Sequence, residues 1–206
     1  MPQSRRYKKK KSAGKAILAW IIVLAILAAA VFVFVSVFYE DTKKKLDEMN
    51  YPRTYSTYVE KAAKDYDLDP ALIYAVIHTE SGFDPKAESG VGAKGVMQMM
   101  PSSFEWLQEQ RGCAGQYTED DLFNPEICID YGSYLLKYFY DYYGTERSAI
   151  AAYNAGFVVS DWLNDTNYSS DGKNLDSIPY PETENYVDKV EGAKEMYIKL
   201  YYSQSN

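Results

Sequence analysis

Glu80-Ser81-Gly82-Phe83-Asp84-Pro85, followed by Ser89 and then by Gly92-Ala93-Lys94-Gly95-Val96-Met97-Gln98-Met99-Met100-Pro101, is the stretch on which the reading of this chain turns. It begins where a helix ends. Pro70 opens a run with Leu72, Ile73, Val76 and Ile77 at helical spacing, and Gly82 is the expected stop, so Glu80 falls in the last turn. Beyond it, Gly82, Gly90, Gly92 and Gly95 exclude a continuous helix across residues 81–100, because glycine is costly in helix interiors. This segment is expected to be loop. No Lys-Ser or Lys-Thr follows the glycines and no strand-like run precedes them, which excludes a phosphate-binding P-loop.

Outward from this loop the chain reads as helical. Asn124 and Pro125 form an N-cap and N1 pair, and Tyr131, Tyr134, Leu135 and Tyr138 make one apolar stripe before Gly144, a helix expected to be central. Thr145 can cap a segment running through Ile150, Ala151 and Ala152 to Gly156, and Val187, Val190 and Tyr197 mark a last helix. No segment alternates like a strand, and no internal repeat is visible. The expected fold class is mainly α.

On the N-terminal side the charge is uneven. Arg5, Arg6, Lys8 to Lys11 and Lys15 hold seven of the 22 basic residues, and no acid precedes Glu40. The remainder carries 15 basic against 29 acidic residues, which disfavours nucleic acid, since affinity there comes largely from cations on phosphates. Residues 16–39 contain no charge, and about 20 apolar residues suffice for a helix to cross a bilayer. The basic segment 1–15 then predicts a cytoplasmic tail, with the rest of the chain exported. A cleaved signal peptide is the alternative, but its apolar region would run only about 7 to 15 residues. An uncleaved single-pass anchor is therefore expected, followed by a polar stalk at 40–53 and one domain at 54–206. Cys113 and Cys128 fall in the exported part, where oxidation is permitted. A disulfide between them is expected, worth about 3 kcal/mol in a chain-entropy account; two unpaired, buried thiols are the alternative.

The stretch from Glu80 to Pro101 closely resembles the catalytic domain of the lytic transglycosylases. Ala151-Ala152-Tyr153-Asn154-Ala155-Gly156, with Trp162 downstream, resembles a second motif of that family, and Ile178-Pro179-Tyr180-Pro181-Glu182-Thr183-Glu184-Asn185-Tyr186-Val187 a third. The motifs occur in the family's order. The resemblance implies a lysozyme-like α fold with a groove for peptidoglycan glycan strands of alternating N-acetylmuramic acid and N-acetylglucosamine. It implies that Glu80 is the catalytic acid/base, that Ser89, Gln98, Met100, Tyr153 and Asn154 line the groove, and that Tyr186 approaches the site. One departure is plain: the family usually has Pro-Gly after the glycine of the second motif, where this chain has Phe157 and Val158.

The physics of the Glu80 position agrees with that role. A carboxylate in a last helical turn faces the negative end of the dipole, and burial against Phe83 or Met97 would raise its pKa further. His78 is the only histidine, so a cluster of several histidines on a metal cannot be assembled, and a structural or groove-edge role is expected for it. No cofactor and no metal is implied. The expected partners are glycan strands, the membrane through residues 16–39, and cell-envelope assemblies. Two alternatives stay open. A lysozyme-type muramidase would use a second acid such as Asp84, Glu88, Glu182 or Glu184, and a non-catalytic glycan-binding scaffold would keep only the groove.

Overall fold

The structure, a computed structural model, describes the backbone of residues 3–203 and the side chains of residues 14–203. The side chains of the basic segment through residue 13, together with Met1, Pro2 and residues 204–206, lie outside the described residues. The chain divides into two units, Met1–Asn50 and Tyr51–Asn206.

The first unit is one helix, α1 (Gln3–Asn50). Its span Gly14–Asn50 is long and apolar enough to cross a membrane, with a mean hydropathy of 3.2 over its most apolar window. The polar stretch expected as a stalk remains helical up to Asn50. Lys45 pairs with Asp41 at 2.7 Å and Lys44 with Glu48 at 3.9 Å, the spacing at which opposite charges support an exposed helix by a few tenths of a kcal/mol each. The hydroxyls of Ser36 and Thr42 donate back to the carbonyls of Phe32 and Phe38, so neither interrupts it.

The second unit contains α2 (Ser56–Tyr66), α3 (Pro70–Ser81), α4 (Pro101–Gln110), α5 (Pro125–Tyr143), α6 (Glu146–Ala155), α7 (Val159–Asn164) and α8 (Pro181–Tyr197). No strand occurs among the described residues; two isolated bridges, Glu88 with Lys94 and Lys94 with Met99, fold the loop between α3 and α4. The caps at Asn124, Thr145, Gly82 and Gly144 are those the sequence signals, and the structure adds Asp69. Asp69 accepts from Ala71 N, Asn124 from Glu126 N and Thr145 from Ser148 N, while Gly82 and Gly144 close α3 and α5 in left-handed backbone at φ 58° and 76°. α5 packs on α2, α4 and α6, the central role expected of it. α3 is more deeply buried still: every residue from Ala71 to Ile77 is inside, and the helix packs on α2 and α8. A helix apolar on all sides must sit in a core, and this one fixes the position of the glutamate at its end.

Gly132, in the middle of α5, explains how the glycine-rich loop reaches the core. A Cβ there would meet the Met97 sulfur at 2.6 Å, so the missing side chain is the space that Met97 fills. Glycine in a helix interior costs up to about 1 kcal/mol relative to alanine, here offset by the fully buried Met97.

The expected disulfide is not formed: Cys113 and Cys128 are free. Cys128 is buried under the loop, where its Sγ accepts from Met97 N at 3.4 Å and faces the Lys94 carbonyl. Cys113 instead lies 3.2 Å from the Tyr131 hydroxyl. Each thiol has its own neighbours, and burial pushes the Cys128 thiol up to about 12.

Candidate active site

Glu80 sits one residue before the end of α3, and its carboxylate is met from α8. The Tyr186 hydroxyl donates to Glu80 Oε1 at 2.8 Å. Burial pushes the Glu80 carboxyl up to about 7, and the hydrogen bond from Tyr186 opposes that shift because it favours the charged form. No other carboxylate contributes to the shift. Asp84, Glu88, Glu182 and Glu184, the alternatives for a second acid, are all exposed.

The second motif joins the site through the loop backbone. Tyr153, on α6, donates its hydroxyl to the Met97 carbonyl at 2.9 Å. Burial first, then the nearby Glu80 charge, push the Tyr153 and Tyr186 hydroxyls well above their ordinary range, so both remain donors at any physiological pH. Asn154 is exposed at the end of α6 and accepts from the buried Thr183 hydroxyl at 2.8 Å. Thr183 lies in the first turn of α8, close to one helical turn before Tyr186. This bond therefore ties the second motif to the helix that carries the partner of Glu80.

Ser89 and Gln98 act on the loop itself. Ser89 exchanges hydrogen bonds with Ala93, its Oγ accepting from Ala93 N at 3.0 Å and its own N–H donating to Ala93 O at 2.9 Å. Gln98 Nε2 donates to the carbonyls of Ala87 and Gly95, both at 3.0 Å, from a left-handed backbone at φ 46°. A non-glycine residue held there stores about 1 kcal/mol or more of strain, which these two bonds help to hold. Met100 is exposed and caps the start of α4. Among the residues expected in the groove, Tyr186 alone hydrogen-bonds Glu80. Ser89, Gln98 and Tyr153 instead hold the loop between α3 and α4, and Asn154 holds Thr183.

Two contributors were quoted in the motifs without a role. Ser81 Oγ donates to Val96 O at 2.8 Å and accepts from Phe83 N at 3.1 Å, stitching the end of α3 to the loop. Thr183 holds Asn154. Their signal was position alone, since each lies inside a motif. The His78 ring centroid lies 4.8 Å from that of Tyr51, and burial lowers its pKa.

The fold and site together define a helical domain with a half-buried glutamate, Glu80, at the end of its most buried helix. The family described as the transglycosylase SLT domain matches residues 57–175, and the chain belongs to that family. The soluble lytic murein transglycosylase of Escherichia coli (strain K12) is 32% identical over 146 residues, which cover 69% of this chain and 23% of that protein. The membrane-bound lytic murein transglycosylase C of Actinobacillus pleuropneumoniae serotype 5b is 29% identical over 170 residues, covering 72% of this chain and 47% of that protein. Among solved structures, an inactive glutamate-to-glutamine mutant of the lytic transglycosylase Slt from Pseudomonas aeruginosa matches with a TM-score of 0.65 and 30% identity, covering 74% of this chain and 25% of that one. The chain thus spans between about a quarter and a half of the length of these relatives. The lysozyme-like helical fold expected from the motifs is the one observed.

Proposed function

We propose that this chain is a peptidoglycan lytic transglycosylase that cleaves the β-1,4 bond between N-acetylmuramic acid and N-acetylglucosamine and leaves 1,6-anhydro ends. The observation that carries this reading is the half-buried Glu80 carboxyl, which desolvation raises to about 7 and which Tyr186 hydrogen-bonds. A group titrating near 7 is protonated often enough to act as an acid and is then basic enough to take a proton back. Glu80 gives its proton to the bridging oxygen as the C1–O bond breaks, and the 2-acetamido group of the muramic sugar assists at C1. The resulting carboxylate removes the proton from the C6 hydroxyl of the same sugar, which attacks C1 and closes the ring. The proton balance returns Glu80 to its starting state without water. An intramolecular nucleophile also has a high effective concentration, which suits a site without a second acid.

The exposed apolar helix and the basic residues before it support a single-pass anchor with the second unit outside the cytoplasm. The likeness to a relative named as membrane-bound supports the same reading. The test of enzyme against scaffold is release of soluble muropeptides from purified sacculi by the full chain in detergent. The wild type should release them and Glu80→Gln should lose at least about 10²-fold in rate while still sedimenting with sacculi. Binding by both proteins without release by either would favour the scaffold.

A further inference from the structure

We propose that Cys128 is a positioning residue for the Glu80 carboxyl, acting through the peptide group that joins Val96 to Met97. This rests on the function proposed above. That peptide is held at both of its polar ends. Its N–H donates to Cys128 Sγ at 3.4 Å, and its carbonyl accepts from Ser81 Oγ at 2.8 Å. One planar group therefore forms a strut from α5 to the last residue of α3, the chain neighbour of Glu80. Ser81 passes the restraint to both sides of the glutamate. Its Oγ also lies 3.3 Å from the Ile77 carbonyl one turn back and accepts from Phe83 N at 3.1 Å, so Glu80 sits between two tethered points of the backbone.

The α5 end of the strut is equally confined. Val96, Met97 and Cys128 are all fully buried, the Met97 side chain fills the gap left by Gly132, and Tyr153 donates to the Met97 carbonyl at 2.9 Å. An amide this deeply buried that loses its acceptor must shift or stay unpaired, and a shift travels along the peptide to Ser81. The thiol suits the task because it accepts a hydrogen bond without bringing a charge. Burial, and more weakly the Glu80 charge, push it up to about 12, so it stays neutral beside a carboxyl that has to cycle its proton.

The test separates hydrogen bonding from bulk, with full chains in detergent acting on peptide-free glycan strands below the Tm of every variant. Cys128→Val keeps the volume and removes the acceptor, Cys128→Ser keeps an acceptor with less volume, and Cys128→Ala removes both. Cys128→Val and Cys128→Ala should lower kcat about tenfold with KM changed less than about twofold, and Cys128→Ser should stay within about threefold of the wild-type kcat. The reverse order, with Cys128→Val nearest the wild type and Cys128→Ser as slow as Cys128→Ala, would assign the residue to packing and overturn the proposal. If Cys128→Val does not fold, the comparison of Cys128→Ser with Cys128→Ala, neither of which adds bulk, decides alone. Ser81→Ala combined with Cys128→Ala should be no slower than the slower single variant, because both cut the same strut. A loss equal to the product of the two single losses would show independent effects and likewise overturn it. If the wild type does not cleave, the proposed function falls and the positioning role with it. If it cleaves and Cys128→Ala is equally fast, the positioning role alone falls.

Discussion

The Tyr186 hydroxyl donates to Glu80 Oε1 at 2.8 Å, across the packed pair α8 and α3, and this bond works against the burial that raises the glutamate's pKa. The site is thereby balanced. Burial alone would hold the carboxyl more firmly protonated, which in the proposed mechanism suits the first proton transfer and impairs the second. The hydrogen bond brings the group back toward neutrality and also fixes its orientation.

The first prediction follows from that balance. The activity kcat/KM of the wild type should decline as pH rises through about 7, where the protonated form of Glu80 is lost. Tyr186→Phe removes a bond that favours the charged form, so the alkaline limb should move to higher pH while activity at neutral pH falls. A pH–rate profile with its limb unmoved would show that Tyr186 does not set the pKa of Glu80.

The same shift has a consequence for stability. The folded pKa of about 7 lies above the ordinary 4.5, so the stability contributed by the protonated carboxyl is fully present below about 4.5 and is lost as pH rises through 7. By pH 8 the loss amounts to about 3 kcal/mol, from some 1.4 kcal/mol per pKa unit. Glu80→Gln cannot ionise and should escape it. Thermal unfolding should give the variant a Tm several degrees above the wild type at pH 8, with the gap closing toward pH 4. Parallel curves across that range would mean the carboxyl is not buried in the folded protein.

Much of this site was legible in the chain, for a local reason. The ends of α3, α5 and α6 carry their own signals in Pro70, Asn124-Pro125, Gly82, Gly144 and Thr145, and the motif around Glu80 lies within one loop. α2 lacks such signals: Tyr55 stands at its N-cap with no side-chain hydrogen bond and in left-handed backbone at φ 62°, while α4 has Pro101 at its first turn but no side-chain cap from Met100. The pairing of the cysteines was beyond reach because it depends on how the loop settles onto α5. The motifs gave Ser89 and Gln98 to the groove, but they could not reveal that their hydrogen bonds hold the loop.

That settling has a testable hinge in Gly95. Its φ is 76° and a Cβ would fall 2.0 Å from the Leu122 carbonyl oxygen, so Gly95→Ala should destabilise the domain by at least about 2 kcal/mol in urea unfolding. Gly90→Ala, with nothing within 4 Å, should stay within about 0.5 kcal/mol of the wild type. Equal stabilities for the two variants would refute the tight approach of the loop to Leu122.

The thiols provide a separate check on the same packing. Cys113 is partly exposed, while Cys128 is buried with its thiol pushed up to about 12, so a maleimide should label Cys113 in the native protein and reach Cys128 only after unfolding. Intact mass should be unchanged by reductant. A gain of two hydrogens on reduction would restore the disulfide instead.

The most direct test of the proposed function is the chemistry of the glycan ends that the chain leaves. Sacculi digested by the full chain are treated with borohydride, and the released muropeptides are weighed by mass spectrometry. A site with Glu80 as its one acid should give 1,6-anhydromuramic ends, lighter than hydrolytic products by the mass of one water and unchanged by the reductant. Predominantly reducible ends would contradict the account, because they require water rather than the sugar's own C6 hydroxyl as the nucleophile at C1.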